Sequence, residues 1–274
     1  VEIWQAVVLA IVEGITEFLP ISSTGHLTIT EKLMGLPIDD PSITAFTAVI
    51  QVGAILAVLV YFAKDIGRLA SAWGKGLVSS PARQSPDYKM AWYVIAGSIP
   101  IGIVGFLGKD LIKGPLRSMW FVAGSLIVWS AVMAFAEYAA TQTRSEKELT
   151  LKDTLIVGLA QCLALIPGVS RSGATITTGL LRDLDRVTAT RLAFFLGVPA
   201  LVAAGIYELP DALEKIDLSI LLIGNVVSFL VAYASIAWLL KFVAHHTMMS
   251  FVWYRVGLGG LIIVLLATGT ISAT

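Results

Sequence analysis

Long apolar runs alternate with short polar connections along this chain. Six runs carry little or no charge: Ile43–Ala63, Met90–Gly108, Ser118–Ala136, Leu192–Tyr207, Leu218–Leu240 and Val256–Gly269. A helix needs about 20 apolar residues to cross a bilayer, so each run predicts a crossing helix, with Leu192–Tyr207 short for the task. Aromatic residues flank several of them (Trp92, Tyr93, Trp120, Tyr138, Tyr207, Trp238, Trp253, Tyr254), as at membrane interfaces.

Two further stretches, Val12–Thr30 and Leu159–Thr177, are apolar but broken, the first at Pro20 and the second at Pro167-Gly168. Each piece spans only about half a membrane, and irregular backbone at that depth survives only where protein or a cavity surrounds it. Each stretch therefore predicts a re-entrant helix hairpin that enters and leaves on one side. The first carries Glu13, Glu17 and His26, and the second carries Arg171. Ionisable groups inside a membrane segment mark functional sites.

Loop charge agrees with this topology. Lys64–Lys89, Arg144–Arg191 without Arg171, and the loop starting at Lys241 together hold twelve Lys and Arg. The opposite loops hold five (Lys32, Lys109, Lys113, Arg117, Lys215), with the acidic loop Glu208–Asp217 among them; Arg255 lies at a boundary and is left out. The positive-inside rule then places both termini outside the cytoplasm. Gly74–Pro86 and Thr141–Asp153 read as solvated connections. At an offset of 148, Glu13 falls on Gln161, Ser23-Thr24-Gly25 on Arg171-Ser172-Gly173, and Phe46 on Phe194. The expected fold is an all-α polytopic membrane protein forming one membrane domain of two inverted-topology repeats. These cover about 1–140 and 150–274, each a re-entrant hairpin plus three crossings, with the site where the two tips meet.

Composition supports the class. Of 274 residues 57% are hydrophobic and 14% charged, against about 25% charged in soluble domains. Zero net charge gives no reason to expect a nucleic-acid partner, and the single Cys162 excludes an internal disulfide or a Cys-rich metal site. No cleavable leader is expected, because the first apolar stretch holds two glutamates and lacks a basic start. His245-His246 and Met248-Met249 read as interfacial filler. Gln51 is read either as a tip contact or as a helix contact.

The chemistry gathers at the tips. Glu13 and Glu17 share one helix face, and paired carboxylates in low dielectric need a cation or a proton. Oxygen donors suit Mg²⁺ or Ca²⁺; the bland alternative is that the pair binds Arg171 and only locks the hairpins. Among Ser22, Ser23 and Thr24, at least one should cap the helix that follows. His26, near a serine and a carboxylate, suggests acid–base work. In the second tip Ser170 can cap a helix whose free N–H groups attract anions. Arg171 adds a planar fork for phosphate oxygens, and Ser172 and Thr175 add hydroxyl donors. A phosphate ester or anhydride with its tail in lipid fits between two such tips.

The motifs Glu13-Gly-Ile-Thr-Glu17-Phe-Leu-Pro-Ile-Ser-Ser23-Thr-Gly-His26 and Pro167-Gly-Val-Ser-Arg171-Ser-Gly-Ala-Thr175 resemble, along the whole chain, the undecaprenyl-diphosphate phosphatase family of the bacitracin-resistance type. The resemblance implies hydrolysis of undecaprenyl diphosphate to undecaprenyl phosphate and inorganic phosphate with a divalent cation. That reaction recycles the lipid carrier of cell-wall precursors, at a site opening outward from the bacterial plasma (inner) membrane. It implies Glu13 and Glu17 as metal or acid–base carboxylates and Ser23 and His26 as nucleophile or base. Ser170, Arg171, Ser172 and Thr175 would form the diphosphate clamp. Whether Ser23, His26 or water attacks stays open. The expected partners are the prenyl diphosphate and membrane lipid, with a homodimer left open. The rivals are a transporter or flippase of polyprenyl phosphate or another anion, a cation-coupled symporter, and a purely structural membrane protein.

Overall fold

The computed structural model describes residues 1–37, 40–108 and 118–273. The charges Lys109, Lys113 and Arg117 counted above lie outside the described residues, as does the side chain of Lys215. Eleven α-helices follow one another among the described residues: α1 (Ile3–Thr16), α2 (Ser23–Leu33), α3 (Pro41–Tyr61), α4 (Ala63–Val78), α5 (Pro86–Leu107), α6 (Met119–Ala139), α7 (Leu151–Gln161), α8 (Arg171–Leu181), α9 (Arg186–Lys215), α10 (Leu218–His245) and α11 (Met249–Ala267). Six of them, α3, α5, α6, α9, α10 and α11, are long and apolar enough to cross a membrane, one for each predicted run. The protein is an all-α, multi-pass membrane protein.

Local signals set the helix starts. Asp40 and Asp217 accept the backbone N–H of Ser42 and Ser219 at α3 and α10, and Thr150 accepts that of Asp153 at α7. Each cap satisfies a donor that a helix start leaves orphaned.

Two expectations need correction. Leu192–Tyr207 is the middle of a 30-residue helix, α9. The charges at its start are neutralised: Arg186 pairs with Glu137, and Arg191 pairs with Asp65 and Glu146 above the rings of Phe62 and Phe195. At its far end most of the Glu208–Asp217 stretch is helical too. The Lys64–Lys89 connection contains α4, an amphipathic helix with Leu69 buried and Arg68 paired to Asp87; its apolar residues recur at helical spacing, which a reading for polar content overlooks. Thr141–Asp153 is solvated along most of its length, as expected, and ends on a buried charge. Asp153 is fully buried, receiving Arg144 at 2.6 Å, Arg182 at 2.9 Å and the Thr150 hydroxyl at 2.7 Å.

These ion pairs collect the start of α4, the end of α6, the start of α7, the end of α8 and the start of α9 on one face. The α7–α8 hairpin therefore enters and leaves there. On the opposite face, Val1, Met34, Leu36, Ile216 and Ile220 pack against one buried cluster, Lys32 donates to Ser272, and Met119 N–H donates to the Ala273 carbonyl. The α1–α2 hairpin thus enters from that face. Between the faces α1 packs on α10 much as α7 packs on α5, while α3 lies against α9 and α6 against α11.

Burial pushes the Asp153 carboxyl up, but the bonds from Arg144, Thr150 and Arg182 outweigh it and hold it well below the usual carboxylate range. A depressed carboxyl contributes stability that is present above the unfolded value, about 3.9, and is lost as pH falls toward the folded one. Asp153→Asn should therefore cost about 3 kcal/mol at pH 7. The gap between wild type and variant in detergent melts should shrink below about pH 4. A gap that stays constant across that range would remove Asp153 from the account.

Candidate active site

The two hairpin tips meet in the interior, and backbone constraints explain how. At the first tip α1 ends at Thr16, and Ser22 caps α2 with its hydroxyl accepting from Gly25 N–H at 3.4 Å. At the second tip α7 passes through the short 3-10 turn Cys162–Leu165, and Ser170 caps α8 by accepting from Gly173 N–H at 3.2 Å. Both capping serines sit at φ 75°, a region L-residues avoid without local support. They stand 148 residues apart, the offset found in the sequence. Gly168 lies at φ 97°, and a Cβ there would meet the Val122 carbonyl, so the second break requires glycine.

Glu17 is the centre. Its Oε2 accepts the Ser23 hydroxyl at 2.6 Å, and its Oε1 accepts Arg171 Nη2 at 3.1 Å. One carboxylate from the first hairpin thus holds a hydroxyl of its own hairpin and the guanidinium of the other. Arg171 Nε–H has no partner among the described residues, and Arg171 lines a cavity of about 550 Å³. That Nε is buried, so an anion in the cavity would meet the exposed remainder of the Arg171 side chain. Gly197 on α9 makes room for this geometry, since a Cβ there would overlap Arg171 Nη1. The first tip is braced by Phe18, fully buried and edge-on to Phe194 at 5.4 Å.

Glu13, one turn before Glu17, is 1% exposed, and its Oε1 has no partner among the described residues. Arg171 balances one of the two carboxylates, which leaves the other to a proton or a second cation. The described residues contain no cluster of three or more His, Cys, Asp or Glu able to cage a metal. The donor set instead fits a hard cation held by one or two carboxylates and completed by substrate phosphates, the usual arrangement for Mg²⁺.

The other predicted residues divide. Ser23 and Ser170 line the cavity, as does Gln51. The Ser172 hydroxyl donates to the Leu19 carbonyl at 2.9 Å, tying tip to tip. Thr175 donates back to the Arg171 carbonyl at 2.8 Å. Neither of these two hydroxyls points at the cavity in this structure. His26 is not joined to Glu17 or Ser23. Its Nδ1 bonds the Ser22 carbonyl at 2.7 Å, and its Nε2 bonds the Tyr254 hydroxyl at 2.6 Å.

Arg255, placed at a boundary in the loop count, is instead fully buried on α11. Its donors reach the Pro20 carbonyl at 3.2 Å, the Gly168 carbonyl at 2.8 Å and the Ser130 hydroxyl at 3.2 Å. It forms no ion pair among the described residues. The one available sequence signal was an arginine within an otherwise uncharged apolar run, which had been set aside as a boundary residue.

From the tips the cavity continues along α5 and α9 past Ile101, Gly102, Phe106, Ala200, Leu201 and Ala204. The geometry defines a membrane protein with a carboxylate–hydroxyl–guanidinium cluster at the end of an apolar cleft, suited to an anionic head on a lipid tail. The model of the bacitracin resistance protein BacA family matches residues 6–261, and the chain belongs to that family. It is 59% identical over 275 residues to undecaprenyl-diphosphatase 1 of Streptomyces coelicolor, covering 100% of this chain and 99% of that protein. It is 56% identical over 274 residues to undecaprenyl-diphosphatase 3 of Frankia casuarinae (98% and 99%). To the undecaprenyl-diphosphatase of a Mycobacterium species it is 50% identical over 275 residues (98% of each).

Gly197→Ala should displace the Arg171 guanidinium from Glu17. Binding of inorganic pyrophosphate, read by calorimetry, is expected to weaken about tenfold or more, the scale of one charge-assisted hydrogen bond. Unchanged binding would show that Arg171 does not need that space.

Proposed function

We propose that this chain is an undecaprenyl-diphosphate phosphatase, releasing inorganic phosphate and undecaprenyl phosphate and so recycling a lipid carrier for cell-wall synthesis and conferring bacitracin resistance. The observation that carries the reading is Glu17 held between Ser23 and Arg171 at the polar end of an apolar cleft. The names of the relatives support the same substrate.

Arg171 binds the diphosphate through the part of its guanidinium that faces the cavity, and the tail runs between α5 and α9. Ser23 Oγ attacks the terminal phosphorus while Glu17 takes its proton. The bridging P–O bond breaks, and undecaprenyl phosphate leaves with the bonding electron pair. Glu17 gives that proton up to the departing phosphate. Water then attacks the phosphoserine as Glu17 takes a proton from it. The P–Oγ bond breaks, and Ser23 Oγ leaves with the electron pair and recovers the proton from Glu17, releasing inorganic phosphate. Glu13 and Glu17, with diphosphate oxygens, would hold a divalent cation such as Mg²⁺ or Ca²⁺. Such a cation supplies charge neutralisation on the transferred phosphoryl group. Ser172 and Thr175 keep the clamp in shape through carbonyl contacts.

Two finer points belong to the same reading. The halves are inverted repeats, supported by the matched Ser22 and Ser170 caps and by hairpins entering from opposite faces. The face rich in Arg and Lys is cytoplasmic by the positive-inside rule, and the site of this inner-membrane protein opens outward.

In detergent the protein should release phosphate from a long-chain prenyl diphosphate. A chelator should stop the release, and Glu17→Gln and Arg171→Ala should each lower it by about 100-fold or more. Lipid bound through Arg171 but never cleaved would favour the carrier instead. Gly105 lines the cavity, and a Cβ there would meet only Leu165, at 3.8 Å. Gly105→Leu should therefore slow the long-chain substrate and spare a short prenyl diphosphate; equal slowing of both would move the tail elsewhere.

A further inference from the structure

Two consecutive residues of the last crossing helix grip the turn that presents Ser23. Arg255 donates to the Pro20 carbonyl at 3.2 Å. Tyr254 meets His26 Nε2 at 2.6 Å, and the two rings lie nearly parallel, 4° apart. His26 Nδ1 in turn reaches the Ser22 carbonyl at 2.7 Å. A carbonyl only accepts, so Nδ1 carries the ring proton of the neutral imidazole, and Nε2 accepts from the Tyr254 hydroxyl. The Ser22 carbonyl also accepts the His26 backbone N–H at 3.3 Å. Ser22 is the residue at φ 75°, immediately before Ser23.

We propose that Tyr254 and Arg255 are positioning residues for the hydrolysis, together holding the Pro20–Ser22 turn so that the Ser23 hydroxyl stays on Glu17. His26 belongs to this device. Its proton is spent on the Ser22 carbonyl and its lone pair on Tyr254, so it orients Ser23 through the backbone and takes no proton from it. Arg255 adds the second anchor at Gly168 O, 2.8 Å away, which keeps Arg171 in register with the same turn. The role assigned to the turn rests on the phosphatase reading; the tautomer assigned to His26 does not.

The experiment combines kinetics with nitrogen NMR. In a His245→Gln/His246→Gln background His26 is the only histidine, and ¹⁵N labelling should show its ring protonated at Nδ1. Tyr254→Phe keeps the ring stack and removes the hydroxyl. It should shift the Nε2 resonance and lower kcat about tenfold, the size of one hydrogen bond, with KM unchanged. Arg255→Lys keeps a charge but cannot span two carbonyls, and it should lower kcat by more than tenfold. A ring protonated at Nε2, or full kcat in Tyr254→Phe, would overturn the proposal. A wild-type protein that cleaves no prenyl diphosphate would sink the phosphatase reading instead, leaving the tautomer to be decided by NMR.

Discussion

A buried guanidinium with no carboxylate partner among the described residues holds the centre of this protein together. In a membrane interior no water satisfies a broken backbone, and each orphaned carbonyl costs several kcal/mol. Breaking two helices at mid-depth creates such carbonyls at Pro20 and Gly168, and Arg255 reaches both. Hydrogen bonds to a charged donor contribute about 1.5–3 kcal/mol each. The arginine therefore stabilises both breaks and sets the distance between them. Ser172, bonded to the Leu19 carbonyl, adds a second link between the tips.

With the tips held, the charges inside become intelligible. Glu17 would be costly alone; between Ser23 and Arg171 it is paired, hydrogen-bonded and aimed. Arg171 has donors to spare, and Glu13 has an oxygen to spare. Buried groups left unsatisfied in this way are rare in a polar network and mark where a proton, water or ion is needed. The apolar cleft along α5 and α9 then accounts for a head-and-tail substrate better than for a free anion, which would need no such wall.

Much of this was legible in the chain. Crossing helices announce themselves by length and apolarity, and the hairpins by Pro20 and Pro167-Gly168 inside apolar runs. Glu17, Ser23 and Arg171 stood out because charge and hydroxyls are expensive there. Other features were not legible, for a common reason. Arg255 resembles an interfacial arginine until its acceptors, distant in sequence, are known. Gly197 is an ordinary small residue in a crossing until Arg171 lies against it. His26 looked like a base because Ser23 is near in sequence, yet its ring turns toward Tyr254, more than 200 residues away. Arg144 and Arg182 read as loop charges, whereas burial against Asp153 makes them part of the base of a hairpin. Spacing reports neighbours along one helix; it is silent about which helix lies opposite.

The central claim is that both hairpins build one site for a lipid diphosphate. An experimental structure with a divalent cation and a non-hydrolysable prenyl bisphosphonate tests it most directly. The account predicts phosphonate oxygens on Arg171 and beside Ser23, with the prenyl chain between α5 and α9. A headgroup seated away from Arg171, or contacting one hairpin alone, would contradict it.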